Sequence, residues 1–122
     1  MSKRVLVVDD ESQITDLIKL YLERIGGYVV QVENDSRRAM AVARQFQPEV
    51  IVLDIMMPEP DGSELAASMR ADPSLRKVPI LFLTALVSQS ESCDPKFGFD
   101  RRHYLPKPIN FEQLIKSIET AE

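Results

Sequence analysis

Cysteine and histidine are scarce in this chain, which limits the kinds of site that it can build. Each occurs once in 122 residues, as Cys93 and His103. A single cysteine excludes a disulfide framework within the chain and a zinc site made of several thiolates. A single histidine excludes a metal cluster of imidazoles, and a Ser-His-Asp triad would have to use His103. Sites that need several cysteines or several histidines are therefore excluded.

Long apolar runs and an excess of positive charge are also missing. No apolar run reaches the roughly 18 residues that a membrane-spanning helix requires. The segment Met1 to Arg4 is followed by only four apolar residues, which are too few for a signal peptide. The net charge of −4 gives no support for a nucleic-acid-binding surface. We therefore expect a cytoplasmic protein that engages neither nucleic acid nor a membrane.

Five short apolar runs alternate along the chain with segments in which apolar residues recur at helical spacing. The composition is 44% hydrophobic and 28% charged, as in ordinary globular proteins. The predicted strands are Val5–Val8, Tyr28–Val32, Val50–Leu53, Ile80–Leu83 and Tyr104–Leu105. The apolar faces of the predicted helices lie within Ile14–Ile25, Ala39–Phe46, Leu65–Met69 and Phe111–Ile118. This alternation predicts one domain, residues 1–122, built on a parallel sheet with helices on both faces.

Residues that favour helix ends stand at several of these boundaries. Helix 1 is predicted to be capped by Ser12 or Asp10 and to stop at Gly26-Gly27. Asn110, with Gln113 three residues later, predicts the start of the C-terminal helix. These signals agree with the element order read from the apolar pattern.

The third apolar run leads directly into a carboxylate. Four consecutive branched apolar residues, Val50–Leu53, are typical of a strand buried on both faces. Asp54 follows at once, and the loop after it is punctuated by Pro58, Pro60 and Gly62. A carboxylate at the end of a buried strand, above a short rigid loop, is a candidate nucleophile or metal ligand.

Polar side chains stand at the carboxyl ends of four of the five predicted strands. They are Asp9, Asp10 and Glu11 after strand 1, Asp54 after strand 3, Thr84 after strand 4 and Lys107 after strand 5. Strand 2 ends in no distinctive group. Right-handed crossovers place all these strand ends on one edge of the sheet, where ligands of such folds bind. We therefore expect the four groups to converge.

The chemistry that suits this set is phosphoryl transfer with a hard divalent cation. Asp10 and Asp54 can bind Mg²⁺ directly and Asp9 directly or through water, and a backbone carbonyl after Asp54 can add a ligand. A carboxylate can also accept a phosphoryl group covalently, which gives an aspartyl-phosphate. Lys107 supplies a compact positive charge for a phosphoryl oxygen, and Thr84 supplies a hydroxyl donor.

Taken singly, each of these residues has an ordinary structural explanation. Asp9 and Asp10 are preferred helix caps, and Asp54 is a common turn residue. Thr84 suits a strand end, and Lys107 suits a solvated surface. The joint occurrence of all of them at one edge of the sheet favours a functional site.

The motifs at these strand ends resemble the receiver domain of two-component response regulators. The matching segments are Val7–Glu11, Leu53–Pro58 with Asp61-Gly62, Leu83–Ala85 and Tyr104–Pro108. They span essentially the whole chain, in the order and at the spacing of that family. The resemblance implies a flavodoxin-like, doubly wound, five-stranded parallel sheet in the order 2-1-3-4-5. It also implies a phosphorylation-activated signalling switch of a phosphorelay, with Mg²⁺ as the cofactor.

The resemblance assigns a role to each acid of the site. It makes Asp54 the phosphoacceptor, which takes a phosphoryl group from a sensor histidine kinase or a phosphotransfer protein. It makes Asp9 and Asp10 the acidic pair that holds Mg²⁺ together with Asp54. Met56 matches the position whose backbone carbonyl is a metal ligand, so its side chain is not required to coordinate.

The remaining matches concern the switch. The resemblance makes Thr84 the switch hydroxyl and Tyr104 the switch aromatic, with Lys107 contacting the phosphoryl group. It implies a cis bond between Lys107 and Pro108, as only a proline makes that geometry common. Phosphorylation would then reshape the face of helix 4, strand 5 and helix 5, which meets a downstream protein target or a second copy of the domain.

One region departs from the family pattern. Residues 88–98 have little helical periodicity, and Pro95 and Gly98 interrupt them, where a receiver domain usually has an amphipathic helix 4. We expect an irregular helix 4 region, with a short, displaced or mobile helix and a longer loop. This departure puts a standard contact through that face in question and leaves the phosphorylation residues untouched.

Two other functions compete with the signalling switch. A phosphatase of the haloacid-dehalogenase type also uses an aspartyl nucleophile, but it needs an Asp-x-Asp pattern after the first strand, and here Asp9 and Asp10 are adjacent. A binding module that needs no phosphate is the other alternative. A nucleotide-binding protein is disfavoured because no glycine-rich loop follows strand 1. We expect a phosphoacceptor with slow self-dephosphorylation and not an enzyme with a separate substrate.

Overall fold

The protein is described by a computed structural model over residues 3–58, 60–84, 104–106 and 109–121. Two predictions fall outside these ranges. They are the irregular helix 4 region and the pair Lys107 and Pro108 with its cis bond. Within the described ranges, no helix combines the length and apolar character that crossing a bilayer requires.

The five predicted strands form one parallel sheet in the order β2-β1-β3-β4-β5. The strands are β1 (Arg4–Val8), β2 (Val29–Glu33), β3 (Val50–Asp54), β4 (Ile80–Thr84) and β5 (Tyr104–Pro106). The three central strands are almost entirely buried because helices cover both faces of the sheet. The predicted doubly wound, flavodoxin-like architecture is confirmed.

In the described part of the chain, four α-helices cover the sheet, two on each face. They are α1 (Ser12–Tyr21), α2 (Ala39–Phe46), α3 (Gly62–Ala71) and α4 (Phe111–Thr120), which is the C-terminal helix predicted as helix 5. Alternate residues of each central strand point to opposite sides. Leu6 and Val8 pack with the buried residues of α2 and α3, whereas Val5 and Val7 pack with those of α1 and α4.

The helix starts are only partly those that the sequence predicts. Asn110 caps α4, since its side chain accepts from the Gln113 N–H at 3.1 Å. The cap prediction for α1 is wrong, because Glu11 occupies the cap position and makes no side-chain cap bond. Neither Ser12 nor Asp10 occupies that position, because the chain is still extended at Glu11 when it leaves β1.

The apolar face predicted for helix 1 is divided between the core and the surface. Ile18 and Leu22 are fully buried, whereas Leu17 is 55% and Ile25 is 66% exposed. The chain changes from α to π geometry over Leu22–Gly26, and this turns Ile25 away from the core face. Apolar side chains here form a surface that we call the α1 patch. Its members are Leu17, Leu20, Tyr21, Ile25 and Phe111, which stacks on Tyr21.

The end of α3 is joined to α2 through Asp72. Its carboxylate accepts from the Ser74 hydroxyl at 2.7 Å, from Arg44 Nε at 2.6 Å and from the Ser74 N–H at 2.8 Å. The bonds from Ser74 and Arg44 lower the pKa of Asp72 to about 2, from an ordinary 3.8. Because the folded pKa is lowered, this stabilisation is present above pH 3.8 and is lost as the pH falls towards 2.

We therefore expect Asp72→Asn to lower the melting temperature at pH 7 and to lose this effect in acid. The difference from the natural chain should shrink between pH 4 and pH 2, the interval in which the natural Asp72 becomes protonated. Melting curves recorded across this range measure it, with Asp16→Asn on α1 as the control for removing an exposed carboxylate. A difference that stays constant down to pH 2 would contradict the assignment.

Candidate functional site

The strand register brings the predicted acids side by side at the carboxyl edge of the sheet. Val8 is paired with Leu53, so Asp9 and Asp54 are the next residues on adjacent strands. Asp54 is in turn paired with Leu83, which immediately precedes Thr84. The ladder continues one residue further, since the Ile55 N–H donates to the Leu83 carbonyl at 3.1 Å. Residues from three separate parts of the chain are therefore brought to one place.

Four carboxylates form a compact cluster at this edge. One oxygen from each of Asp9, Asp10, Glu11 and Asp54 lies within 4.8 Å of the others. Asp9 is fully buried and Asp54 is 1% exposed, whereas Asp10 and Glu11 face solvent. The structure thus assembles the three acids predicted as metal ligands and adds Glu11, which the sequence placed at the same strand end without a role.

The donor set of this cluster fits Mg²⁺. All four side chains supply oxygen ligands, which a hard divalent cation prefers over nitrogen or sulfur. Carboxylates held this close repel one another, and a bound cation relieves the repulsion that burial strengthens. The exposed pair, Asp10 and Glu11, leaves the cluster accessible from solvent.

Local hydrogen bonds orient the two buried acids. Asp9 Oδ1 accepts from the Glu11 N–H at 3.0 Å, and Asp54 Oδ1 accepts from the Met56 N–H at 3.1 Å. In both cases an aspartate bonds to the backbone two residues later, which holds the carboxylate above the start of its own loop. The Met56 side chain is 58% exposed beside the site, and the predicted ligand is its backbone carbonyl.

The loop after Asp54 is short and closely packed. The Gly62 N–H donates to the Ile55 carbonyl at 3.1 Å, which closes the loop at the start of α3. A side chain at Gly62 would overlap the Asp54 carbonyl oxygen and would come within 2.6 Å of Ile55 Cα. Asp61 caps α3 by accepting from the Glu64 N–H at 2.9 Å, and Glu64 returns a bond to the Asp61 N–H. Glycine at position 62 therefore permits the geometry of the loop between Asp54 and α3.

The two predicted switch residues lie on adjacent strands and are both buried. Thr84 ends β4 and is 1% exposed. Tyr104 begins β5, is paired with Phe82 across the sheet, and stacks on that ring with centroids 5.5 Å apart. The structure thus places Thr84 at the end of the strand next to that of Asp54, and Tyr104 one strand further away.

The end of strand 2 carries polar groups that bond to the site, so the prediction that this strand ends in no distinctive group is wrong. The Asn34 amide donates to the Asp9 carbonyl at 2.8 Å and to the Thr15 hydroxyl at 2.9 Å. The Ser36 hydroxyl donates to the Pro58 carbonyl at 3.1 Å. Both bonds join the turn after β2 to loops of the site. Asn34 and Ser36 follow β2 within three residues. Because parallel strands end at one edge of the sheet, their place in the sequence already indicates that they lie near the site.

Comparison with known proteins identifies the family. The family model described as "Response regulator receiver domain" matches residues 5–119. The chain is 37% identical over 117 residues to the DNA-binding dual master transcriptional regulator RpaA of Synechocystis, covering 94% of this chain and 47% of that protein. It is 38% identical over 112 residues to the alkaline phosphatase synthesis transcriptional regulatory protein PhoP of Bacillus subtilis, covering 90% and 44%. The chain thus spans about half the length of the curated relatives it matches.

Solved structures agree with this assignment. The chemotaxis protein CheY4 of Vibrio cholerae superposes on the chain with a TM-score of 0.86 at 31% identity, over 100% of both chains. The strand order, the acids at the ends of β1 and β3 and the sequence matches all lead to the same family. The chain therefore belongs to the receiver domains of two-component response regulators.

Proposed function

We propose that this domain is a phosphorylation-activated switch in which Asp54 accepts the phosphoryl group. The observation that carries the proposal is the position of Asp54, buried at the end of β3 inside a cluster of carboxylates that spans 4.8 Å. A bond from the Met56 N–H holds one carboxylate oxygen, which fixes the plane of the nucleophile. Membership of the receiver family supports the same role.

The same cluster is our proposed Mg²⁺ site, with Asp9, Asp10 and Asp54 as side-chain ligands and Met56 as a carbonyl ligand. Glu11 adds a fourth carboxylate at the solvent side. When bound, Mg²⁺ neutralises negative charge on the acids and on the phosphoryl oxygens. The protein's contribution is to hold Asp9 and Asp54 in place through their bonds to the backbone of Glu11 and Met56.

The proposed reaction transfers a phosphoryl group to Asp54 by displacement at phosphorus. A carboxylate oxygen of Asp54 forms the new bond to phosphorus as the bond from phosphorus to the donor histidine nitrogen breaks. The electron pair stays on the imidazole nitrogen. We propose that Lys107 and Thr84 contact the phosphoryl oxygens. The domain promotes its own phosphorylation and slow hydrolysis, and it needs no separate turnover substrate.

The conformational change is proposed to pass from Thr84 to Tyr104. Both residues are buried on adjacent strands, and the Tyr104 ring already packs on Phe82, two residues before Thr84. A new charge on Asp54 would draw the Thr84 hydroxyl towards it and favour the packing with Tyr104 turned inward. Such a change is a population shift between two packings, which would alter the surface around β5 and α4.

The proposed partner is a sensor histidine kinase or a phosphotransfer protein in the cytoplasm. The α1 patch is an exposed apolar surface on the helix that follows the acidic cluster, and we propose that this partner binds there. The name of the Synechocystis relative describes DNA binding, and this chain covers 47% of it. We propose that the receiver domain itself contacts a protein target or a second copy, and not DNA.

Phosphorylation by a small donor tests the proposal directly. The purified domain is incubated with acetyl phosphate, with and without Mg²⁺, and its intact mass is measured. We expect a gain of one phosphoryl group that requires Mg²⁺. Multiple-turnover hydrolysis of a small phosphate ester would instead favour the phosphatase, and the absence of any gain would favour a binding module that needs no phosphate.

Slow loss of the phosphoryl group follows from the apolar side chain at Met56. This side chain stands at the mouth of the site and cannot hold an attacking water by a hydrogen bond. Leu86, two residues after Thr84, is also apolar, so its side chain cannot hold an attacking water by a hydrogen bond either. We therefore expect Met56→Asn to hydrolyse the phosphoryl group several-fold faster, measured by intact mass after acetyl phosphate is removed. Leu20→Asn, an equally polar change in the α1 patch, is the control, and a fast natural decay that slows when Met56 is replaced would contradict this expectation.

A further inference from the structure

Asn34 stands just beyond the end of β2, beside the acids of the proposed metal site. It directly follows β2, whose last residue Glu33 is paired with Val8 of β1. The Asp9 N–H donates to the Glu33 carbonyl at 3.3 Å, so the segments that follow β1 and β2 still run side by side beyond the strands. This position places the Asn34 amide against the backbone that carries Asp9 and Asp10.

Both N–H bonds of the Asn34 amide are used by the protein. One donates to the Asp9 carbonyl at 2.8 Å and the other to the Thr15 hydroxyl at 2.9 Å. Thr15 is fully buried on α1, and its hydroxyl donates onward to the Ser12 carbonyl at 3.0 Å. A backbone carbonyl can only accept, so the bond to Asp9 also decides which way the amide faces. The side chain is thus anchored to α1 and directed at β1.

The turn that carries Asn34 is itself held at several points. Glu33 Oε2 accepts from the Asp35 N–H at 3.0 Å, and Asp35 accepts from the Arg37 N–H at 3.0 Å. The Ser36 hydroxyl, buried in the same turn, bonds to the Pro58 carbonyl in the loop after Asp54. Asn34 therefore extends from a backbone that is fixed relative to both acid-bearing loops.

The bond to the Asp9 carbonyl acts on Asp10 through the peptide plane. The carbonyl of Asp9 and the nitrogen and Cα of Asp10 belong to one planar unit, so holding the oxygen sets the direction in which the chain enters Asp10. Asp10 is exposed, and repulsion from the neighbouring carboxylates favours its displacement into solvent. Asn34 opposes this displacement without adding another negative charge to the cluster.

We propose that Asn34 is a positioning residue for the divalent-cation site, acting on Asp9 and Asp10 through their shared peptide and anchored by Thr15. This role rests on the proposed Mg²⁺ site. It concerns affinity for the cation, and Asn34 does not itself bind the metal or contact the phosphoryl group. Partners that orient metal ligands in this way typically change affinity about 10–100-fold when they are removed.

The test is calorimetric titration of Mg²⁺ into the purified domain and its variants. We expect Asn34→Ala to weaken Mg²⁺ binding about tenfold, with a melting temperature close to that of the natural chain. Gln31→Ala removes an exposed amide from β2 and is expected to bind Mg²⁺ like the natural chain. Equal Mg²⁺ affinity in Asn34→Ala and in Gln31→Ala would overturn the proposal.

A double-mutant cycle separates positioning from a general effect on folding. Thr15→Val keeps the side-chain shape and removes the hydroxyl that anchors Asn34, so we expect a smaller loss of affinity. Adding it to Asn34→Ala should cause no further loss, because Thr15 acts on the site only through Asn34. Additive losses would show that the two residues act independently and would overturn the anchoring role.

Mg²⁺ binding by the natural chain distinguishes failure of the proposed metal site from failure of the positioning role of Asn34. If the natural chain binds Mg²⁺ and Asn34→Ala binds it equally well, only the role of Asn34 fails. If the natural chain binds no Mg²⁺, the proposed metal site fails and the positioning role fails with it. The melting temperature of each variant, measured without Mg²⁺, identifies any that do not fold, and Thr15→Val then supplies an independent measurement.

Discussion

Replacing Asp54 with asparagine is expected to abolish phosphorylation of this domain. The change preserves the size of the side chain and its ability to accept the bond from the Met56 N–H at 3.1 Å. It removes the negative charge, and an amide oxygen does not act as the nucleophile that a carboxylate oxygen provides. Intact mass after incubation with acetyl phosphate and Mg²⁺ should show one added phosphoryl group in the natural chain and none in Asp54→Asn.

The loss of phosphorylation should occur in a folded protein, so it reports on the acceptor residue and not on unfolding. Asparagine keeps the size of the buried side chain and its bond from the Met56 N–H, so we expect the variant to fold with a melting temperature close to that of the natural chain. Asp16→Asn makes the same chemical change on the exposed side of α1 and should be phosphorylated normally. Phosphorylation of Asp54→Asn to the natural extent would place the acceptor at another residue.

Gly62→Ala is expected to cause the largest loss of stability among the glycine-to-alanine changes in the described part of the chain. The added carbon would overlap the Asp54 carbonyl oxygen and lie 2.6 Å from Ile55 Cα, and both are backbone atoms that no side-chain rotation can move. Overpacking of this kind costs about 3 kcal/mol when the backbone must shift. The shift would displace the β3–α3 loop, so Mg²⁺ affinity should fall as well.

Gly27→Ala is the matched control, because it adds the same methyl group where there is room. Apart from its chain neighbours, no atom of the described residues lies within 4 Å of the position of its Cβ, and the strain we expect comes from its φ of +68°. A left-handed alanine costs about 1 kcal/mol, and this position is remote from the loop after Asp54. Urea unfolding of both variants measures the difference in the free energy of unfolding. Equal losses in the two variants would contradict the contact that we assign to Gly62.

The prediction of the sheet from the sequence rests on a local property of its strands. A strand covered on both faces must be apolar at every position, so Val5–Val8, Val50–Leu53 and Ile80–Leu83 stand out without reference to the rest of the chain. The acids and the threonine follow these runs directly, and the parallel topology brings them together wherever each strand lies. The strand order itself came from the family resemblance, because apolar pattern carries no information on which strands are neighbours.

Features that depend on contacts between distant segments were not predicted. The role of Asn34 was not predicted, since its partners Asp9 and Thr15 are 25 and 19 residues away in the sequence. Ile25 looked like a core residue, since helical spacing takes no account of the π turn that rotates it outward. Glu11 was seen at the strand end, but only the loop geometry brings its carboxylate into the cluster.

The sequence by itself determined which residues this protein has available for the proposed phosphoryl chemistry, and the tertiary structure decided how they are held. Runs of apolar residues and the acids that end them are local, and each is read from a few consecutive positions. The register between strands, the absence of a side chain at Gly62 and the bond from Asn34 to the Asp9 carbonyl depend on how remote segments pack. Packing sets distances to fractions of an ångström, and no local pattern of residues contains that information.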